Sequence, residues 1–335
     1  MLPDATTDAL PQIICIGNAT EDVFLQVADS KVFTWSDCDG DVSYLALEYG
    51  AKLKLADLLI STGGGATNCA VTFARMGMRA AIVCKVGSDG PGERVAAAMQ
   101  AEGIDCSHLV RDGLRRTGYS AILMGYTHDR TILTYRGAGT YLAAEDIHWD
   151  DLQQAEWVYI GSLTGDSAPL VHDIARFCGE HKIKLAINPG GDQRKAGMAG
   201  MADIFANTTA LFLNKAEAYE LTCVEPDRGQ CDEAEMLNML RDAGCQTVVM
   251  TCGADGSEGQ DATGHYCQPA LPANTISTVG AGDAYCAACT VALQKGLPLP
   301  EAMRVATANS ASVVEHIGAK AGILTWEAAV ARANA

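Results

Sequence analysis

A glycine-rich hexapeptide near the C-terminus combines an anion-binding backbone with a carboxylate. Thr278-Val279-Gly280-Ala281-Gly282-Asp283 leads directly into an apolar helical segment. Glycines at a helix start let backbone N–H groups approach an anion, and the helix dipole adds to the attraction. The pattern predicts an anion hole at 280–282 and Asp283 as a general base, which phosphoryl transfer to an alcohol requires. On spacing alone, a glycine turn with a capping Asp fits equally well.

Two further motifs could hold a hydroxylated ligand. Gly63-Gly64-Gly65 precedes a second apolar helix, and Asn68 in its first turn could bond hydroxyl groups. Residues 17–22 follow the first buried strand, where ligands bind in open α/β sheets. Asp22 could hold a sugar diol, whereas we expect Glu21 to be an ordinary acidic loop residue.

Short apolar strands alternate with helices along most of the chain. We predict strands at 12–17, 80–86, 157–161, 184–188, 210–214 and 246–252, and helices at 66–76, 91–102, 167–180, 215–222, 232–243, 281–295 and 300–315. This alternation predicts an α/β fold with a doubly wound, mainly parallel sheet flanked by helices.

Two parts of the chain depart from the alternation. Residues 117–126 and 130–136 alternate polar and apolar around Thr127-His128-Asp129, which predicts a β-hairpin. Residues 21–27 and 42–55 also look strand-like. Because no repeat or linker divides the sequence, we expect a single domain over 1–335 with a small β lid formed by about 20–55 and 115–137.

The composition excludes several classes of partner. The 335 residues include 24 Lys and Arg against 41 Asp and Glu, a net charge of -17, which disfavours nucleic acid and anionic membranes. No membrane span or secretory leader is recognisable. The 13 cysteines are odd in number and scattered, so we expect free thiols and a cytoplasmic location. Cys286 and Cys289 share a helix face without a second ligand pair, so we expect them in the core rather than on zinc.

Taken together, the motifs resemble those of the ribokinase-like carbohydrate kinases, often called the PfkB family. The shared order is G-x-x-x-x-D, GG-x-x-x-N, a hairpin, N-x-x-E and T-x-G-A-G-D, over about 12–325. The resemblance implies a ribokinase-like fold and ATP-dependent phosphorylation of a hydroxymethyl group on a sugar or sugar-like alcohol. ATP and Mg²⁺ would be the cofactors.

The resemblance also implies roles for individual residues. Asp283 matches the catalytic base, and Gly280, Ala281 and Gly282 match the anion hole. The positions that match the acceptor site are Asp22, Gly63, Gly64 and Asn68. The positions that match the Mg-ATP site are Asn214, Glu217, Thr251, Gly253, Gly256, Thr278 and Asn309, with Glu217 acting on the metal indirectly and Asn309 beside the adenine.

Three positions differ from the family pattern. Ser277 stands where an Asp often helps bind a monovalent cation, which counts against potassium activation. Gly65 stands where ribokinases often have Lys, and Thr20 where Asn is common, which argues against ribose as the acceptor. Relatives often dimerise through their lid sheets, so the resemblance also implies a possible homodimer.

Other functions remain open at this point. A nucleoside kinase would need an aromatic slot, for which the candidates are Tyr119, Tyr126, Tyr135 and Tyr141. A phosphosugar kinase would need extra cations, for which the candidates are Arg130, Arg136 and Arg194. A non-catalytic sugar-binding regulator is a third alternative. The chain lacks the G-x-G-x-x-G and G-x-x-x-x-G-K-[ST] fingerprints of dinucleotide-dependent dehydrogenases and P-loop kinases.

Overall fold

The computed structural model describes residues 10–28, 30–37, 40–124, 130–222 and 232–335. The strands are β1 (Ile13–Ile16), β2 (Thr20–Val27), β3 (Lys31–Asp37), β4 (Gly40–Ala46), β5 (Leu55–Gly63), β6 (Ala80–Gly87), β7 (Leu109–Asp112), β8 (Gly118–Met124), β9 (Arg130–Tyr135), β10 (Trp157–Ile160), β11 (Lys184–Ile187), β12 (Ala210–Asn214), β13 (Thr247–Thr251), β14 (Ser257–Asp261) and β15 (Gly264–Gln268). The helices are α1 (Gly65–Arg75), α2 (Gly90–Ala101), α3 (Trp149–Leu152), α4 (Leu170–His181), α5 (Gly191–Arg194), α6 (Gly197–Gly200), α7 (Ala202–Ala206), α8 (Lys215–Thr222), α9 (Glu233–Asp242), α10 (Ala281–Gln294), α11 (Leu299–Val313) and α12 (Trp326–Ala333).

The main sheet has nine strands in the order β15-β14-β13-β12-β11-β10-β1-β6-β7. The strands from β13 to β7 are all parallel, and β14 and β15 add an antiparallel edge. Strand side chains alternate between two apolar layers: Ile13 and Cys15 join the layer that contains α1 and α10, and Ile14 and Ile16 join the opposite one. The predicted doubly wound, mainly parallel fold is therefore confirmed.

The second sheet, of four strands in the order β5-β2-β8-β9, lies apart from the main sheet. The predicted hairpin strands are present as β8 and β9, which pair antiparallel, while Tyr126 and the turn Thr127-His128-Asp129 lie outside the described residues. Strands β3 and β4 form a separate antiparallel hairpin. We refer to β2–β5, β8 and β9 together as the lid.

One prediction about the lid is wrong in its boundaries. The strand-like run at 42–55 is split, because β4 ends at Ala46 and β5 begins only at Leu55. The intervening residues include Gly50 at a φ of 81°, a left-handed conformation that interrupts a strand. Strand β5 instead continues to Gly63 and so delivers the glycine motif to the start of α1.

Within the described ranges, none of the helices has both the length and the apolar character needed to cross a membrane.

Candidate active site

Two glycine-rich motifs meet at the N-termini of neighbouring helices. Asn68 in the first turn of α1 donates a 2.8 Å hydrogen bond from Nδ2 to Asp283 Oδ2 in the first turn of α10, across 215 residues of sequence. Neither helix start has a side-chain cap, whereas α2 is capped by the side chain of Asp89. The first-turn amides of α1 and α10 therefore keep their capacity to bind an external anion.

The glycines before these helices hold them in place. Gly64 and Gly280 have φ values of 96° and 80°, in the left-handed region that favours glycine. A Cβ on Gly64 would overlap the carbonyl of Asn18, and one on Gly280 would overlap Ala319. Gly282 differs, because a Cβ there would meet no atom within 4 Å. The space beside Gly282 is therefore open to a ligand.

Asp22, from the third motif, reaches the same place through the lid. It lies in β2, is 8% exposed, and packs so closely against Gly63 that a Cβ on that glycine would overlap its carboxylate. Thr20 Oγ1 donates to Asp22 Oδ1 at 2.9 Å. The structure thus brings Asp22, Gly63, Gly64, Asn68 and Asp283 together; their roles as acceptor site and base stay predictions.

Strand register adds residues that the sequence did not single out. Asp22 is directly opposite Ser61 of β5 and Ser120 of β8, and Ser120 is opposite Thr134 of β9. Residues opposite one another point to the same face of a sheet, so these four form one polar row. The next row on this face, two residues along each strand, is apolar: Leu59, Phe24, Ile122 and Ile132. Period-two alternation is visible in the sequence, but the cross-strand register is not.

The negative charge of Asp283 is balanced by Lys320, a residue that none of the sequence motifs includes. Burial raises the pKa of the Asp283 carboxyl, and the hydrogen bond from Asn68 and the charge of Lys320 oppose this rise. Lys320 Nζ donates to Asn68 Oδ1 at 2.6 Å, to Thr67 Oγ1 at 3.0 Å and to the carbonyl of Thr62. Lys320 lies in a loop 37 residues after Asp283 with no pattern around it, so no sequence signal could have identified it.

The N-x-x-E motif forms a reciprocal cap at the start of α8. Asn214 N donates to Glu217 Oε2 and Glu217 N donates to Asn214 Oδ1, both at 2.9 Å. This is the geometry of a capping box, which satisfies backbone donors at a helix N-terminus. Arg194 Nη1 lies 3.1 Å from Glu217 Oε1. The motif therefore has a structural role that holds whether or not a metal is bound.

A cavity of about 280 Å³ lies at the end of β13, beside the remaining nucleotide candidates. Thr251 ends β13, and Gly253 and Gly256 turn the chain with φ values of 60° and 100°. The cavity lining comprises Lys215, Glu233, Cys252, Asp255, Ser257, Glu258, Cys267, Gln268 and Pro269. Lys215 pairs there with Glu233.

The lid contributes a cation to the hexapeptide. Arg130, the first residue of β9, donates from Nη1 to Thr278 Oγ1 at 2.8 Å. Its Nε is buried and has no hydrogen-bond partner among the described residues. Buried polar groups are seldom left unpaired, so this donor is available to an anion bound beside Thr278.

Asn309 bonds within the protein interior. Its side chain is fully buried, and Nδ2 donates to the carbonyl of Ala284 while Oδ1 accepts from the amide of Leu324, both at 2.9 Å. The amide therefore ties α11 to α10 and to the segment before α12. Its place beside an adenine stays a prediction.

The tyrosines offered for a nucleobase slot do not face Asp22. Tyr119 and Tyr135 are opposite one another, one residue out of phase with the polar row, and therefore on the other face of the lid. The ring of Tyr141 is covered by the guanidinium of Arg115, whose Cζ lies 3.6 Å from the ring centroid. Among the described residues these three rings do not form a slot at the site.

Other charged candidates are already paired. Arg194 contacts Glu217 and Glu220, so its charge is met by carboxylates rather than left for an acceptor phosphate. Arg136 is exposed. Glu21 is buried against Arg94, which makes it a structural ion pair instead of a solvated loop residue.

A comparison with known proteins identifies the family. The profile described as pfkB family carbohydrate kinase matches residues 29–326. The chain belongs to the pfkB family of carbohydrate kinases. As a member, it is an ATP-dependent sugar or nucleoside kinase, since the family's kinases use ATP, typically with Mg²⁺.

Curated and solved relatives agree with this assignment. The kinase is 27% identical over 263 residues to the 5-dehydro-2-deoxygluconokinase of Geobacillus thermodenitrificans (strain NG80-2), covering 75% of this chain and 78% of the relative. Its fold is similar to that of Arabidopsis thaliana ribokinase complexed with ribose and ATP, with a TM-score of 0.77, 17% identity and coverage of 98% and 100%. It is also similar to the Methanocaldococcus jannaschii nucleoside kinase, with a TM-score of 0.75, 22% identity and coverage of 97% and 98%.

The two glycines of the hexapeptide provide a matched test of the open space beside α10. Gly282→Ala places a methyl group where no protein atom lies, so we expect an unchanged melting temperature and a loss of turnover of about 10²-fold from displaced phosphate. Gly280→Ala should instead lower the melting temperature, because the methyl overlaps Ala319 at a left-handed φ. Thermal unfolding and phosphotransfer assays on both variants check this, and equal turnover of Gly282→Ala and wild type would contradict it.

Proposed function

We propose that this kinase transfers the γ-phosphoryl group of ATP to a hydroxymethyl group of a sugar or sugar-like alcohol, with Asp283 as the general base. The main support for the proposal is that the polar row of Asp22, Ser61, Ser120 and Thr134 converges on Asp283. The row supplies oxygen atoms on one side, and the uncapped first turns of α1 and α10 lie on the other. An acceptor hydroxyl held between them would meet a base and an anion-binding backbone together.

Asp283 takes the proton from the acceptor oxygen as that oxygen attacks phosphorus. Burial raises the pKa of its carboxyl, which makes it a stronger proton acceptor than an exposed Asp. The bond from Asn68 occupies Oδ2, so Oδ1 is the oxygen left to face the acceptor hydroxyl.

The first turn of α10 stabilises the negative charge on the transferred group. The amides of 280–282 supply donors, with that of Ala281 giving up a long 3.4 Å bond to the carbonyl of Thr278, and the helix dipole adds partial positive charge. Arg130 brings a full charge next to Thr278 with Nε unpaired among the described residues, so this corner of the site fits a phosphate. ATP, when bound, supplies the phosphoryl group, and Mg²⁺ neutralises part of its charge.

Glu217 would act on Mg²⁺ only through water. One of its oxygens accepts from the Asn214 amide and the other pairs with Arg194, which leaves the carboxylate oriented but already engaged.

We propose Thr251, Gly253, Gly256 and Thr278 as the nucleotide-facing backbone, supported by the cavity beside β13. Position 277 carries no carboxylate, and Ser277 Oγ accepts a hydrogen bond from the amide of Val279. The absence of potassium activation stays a prediction.

A sugar acceptor is favoured over the alternatives. The polar row carries one carboxylate and three hydroxyls, which suit several ligand hydroxyl groups. Tyr119 and Tyr135 lie on the other face of the lid, which weakens the nucleoside alternative. Arg194 is paired with Glu217 and Glu220, which removes one of the three cations offered for a phosphosugar. Nucleosides are still included among the acceptors to be tested, because the apolar row next to Asp22 could contact a nucleobase.

The ten cysteines that the structure describes are all free thiols, and Cys286 and Cys289 are buried in α10. Burial raises the pKa of the Cys289 thiol to about 12, so it stays protonated at neutral pH. These thiols support the proposal of a reducing, cytoplasmic location.

Replacing the base tests the mechanism directly. Asp283→Asn keeps the shape of the side chain but cannot accept the proton, so we expect kcat to fall by about 10²–10⁴-fold with little change in ATP binding. The rate and the affinity for an ATP analogue are measured with a preferred acceptor. Asp261→Asn, in β14 beside the edge strand β15, serves as the control. Turnover of Asp283→Asn within tenfold of wild type would exclude Asp283 as the base.

A panel of acceptors tests the polar row. With ADP release as the readout, we expect turnover with free sugars or sugar acids and little with phosphosugars. Ser120→Ala and Ser61→Ala should raise KM for the acceptor by about tenfold each, since each removes one hydrogen bond to substrate, while KM for ATP stays constant. A preference for nucleosides, or an effect of these variants on ATP alone, would contradict the assignment of the row.

We further propose that two copies of the chain associate through the lid. On the β3–β4 hairpin, Phe33 is paired with Tyr44, and Trp35 with Val42, so all four share a face. Their exposed fractions are 58%, 55%, 67% and 48%. A contiguous aromatic patch of this kind is unusual on an isolated protein and is typical of an interface.

A charge placed in this patch should separate the copies. We expect wild type to elute at twice the 35.2 kDa chain mass in size-exclusion chromatography with light scattering, and Trp35→Glu to elute at the chain mass. Leu114→Glu, at a residue that is 92% exposed outside the lid, is the matched control and should leave the mass unchanged. A monomeric wild type, or a dimeric Trp35→Glu, would contradict the proposal.

A further inference from the structure

Lys320 is held at both ends by helix α1. Its backbone carbonyl accepts a 2.7 Å hydrogen bond from Arg75, the last residue of α1, and Arg75 is fixed in turn by Glu102. At the other end, the ammonium reaches the first turn of α1 and bonds to Thr67 and Asn68. The side chains of Arg75 and Lys320 thus connect this loop residue to both ends of α1, which fixes where the charge lies.

The contacts of the ammonium determine the orientation of Asn68. Nζ has three N–H donors, and three oxygens accept them: Thr62 O, Thr67 Oγ1 and Asn68 Oδ1. Because the Asn68 amide oxygen is held by Lys320, its NH₂ group must face the opposite way, towards Asp283 Oδ2 at 2.8 Å. Without the lysine, a flipped amide would set its oxygen against the carboxylate.

We propose that Lys320 is a positioning residue for phosphoryl transfer, which orients Asp283 through Asn68 and supplies the positive charge that keeps this carboxylate ionised. The proposal rests on the proposed role of Asp283 as the base. The three N–H donors of the lysine are all used within the protein, so it acts through Asn68. Both glycine-rich motifs contact the loop that carries Lys320: Asn68 bonds to Lys320 itself, and Ala319 packs against Gly280.

The titratable groups around Lys320 and Asp283 determine which charges act on the Asp283 carboxyl. The carboxylates that face Lys320 are Asp22 of β2, Asp283 of α10 and Glu102 after α2, and Glu102 is already paired with Arg75. The thiols of Cys69 and Cys286 and the hydroxyl of Tyr159 adjoin Asp283, but burial raises the pKa of each well above its ordinary value, so they stay neutral. Glu217 and Asp22 raise the pKa of Asp283 further. Lys320 is therefore the cation that offsets these effects.

The sign of the pH dependence follows from both groups. Asp283 must lose its proton to act, so activity rises with pH through its pKa. Burial lowers the pKa of Lys320 to about 8, with Asp22 and Asp283 opposing the fall. Activity should therefore decline again near pH 8, because the neutral amine has only two N–H donors for its three oxygen partners and no longer fixes the Asn68 amide.

Substitution of Lys320 should change the shape of the pH profile and not only its height. We expect Lys320→Met to lower kcat by about 10–10²-fold, to move the acid limb to higher pH and to abolish the alkaline limb. Lys320→Arg keeps a charge that does not titrate in this range, so it should retain more activity than Lys320→Met and also lose the alkaline limb. Lys295→Met is the control, since Lys295 is exposed and about 18 Å along α10 from Asp283. A purely structural lysine would lower the yield of folded enzyme and leave both limbs in place, which would overturn the proposal.

Nuclear magnetic resonance of lysine-labelled protein tests the coupling without any assay of activity. The resonance that disappears in Lys320→Met should titrate near 8 in wild type, against about 10.4 for an ordinary lysine. In Asp283→Asn it should titrate lower still, because the carboxylate that raises it is gone. A Lys320 pKa that is unchanged by Asp283→Asn would refute the proposal even for an enzyme with a confirmed acceptor. A wild type inactive on every acceptor would instead refute the proposed function alone.

Discussion

One hydrogen bond, from Asn68 to Asp283, joins parts of the chain that fold as separate βα units. It places the first turn of α1 against the first turn of α10 and so makes one site from two glycine-rich segments. Several other features support this contact: the left-handed glycines that start each helix, the buried packing of α10 and the hydrogen bond from Lys320 to Asn68. Because the bond ends on a partly buried carboxylate, the fold must also supply compensating charge.

The sequence predicted the parts of the site that depend on local chemistry. A glycine with positive φ, an Asp in a first turn and an apolar helix after it leave a short-range pattern, and Gly64, Gly280, Asn68 and Asp283 all lie where that pattern puts them. The main parallel sheet was predictable for the same reason, since each strand is a continuous apolar run. Local patterns were sufficient wherever a single βα unit defined the geometry.

Long-range register and side-chain direction could not be obtained in this way. Ser61, Ser120 and Thr134 join Asp22 only because β2 pairs with β5 and β8 in one register, and a shift of one residue would have presented the tyrosines instead. For a related reason, the sequence could not show that the Asn309 amide turns into the core, where it donates to the carbonyl of Ala284. Lys320 sits in an irregular loop, where residue type carries no information about distance.

The division of labour between the two sheets has an evolutionary consequence. In the proposed site, the phosphoryl-transfer groups belong to helices packed on the large sheet, whereas most oxygen atoms that would meet the acceptor belong to alternate positions on the small one. Exchange of a few side chains on one face of four strands would therefore create a new substrate preference while the phosphoryl-transfer apparatus stayed untouched. A scaffold built in this way can diversify its acceptors by point mutation, one strand position at a time, without passing through an inactive ancestor.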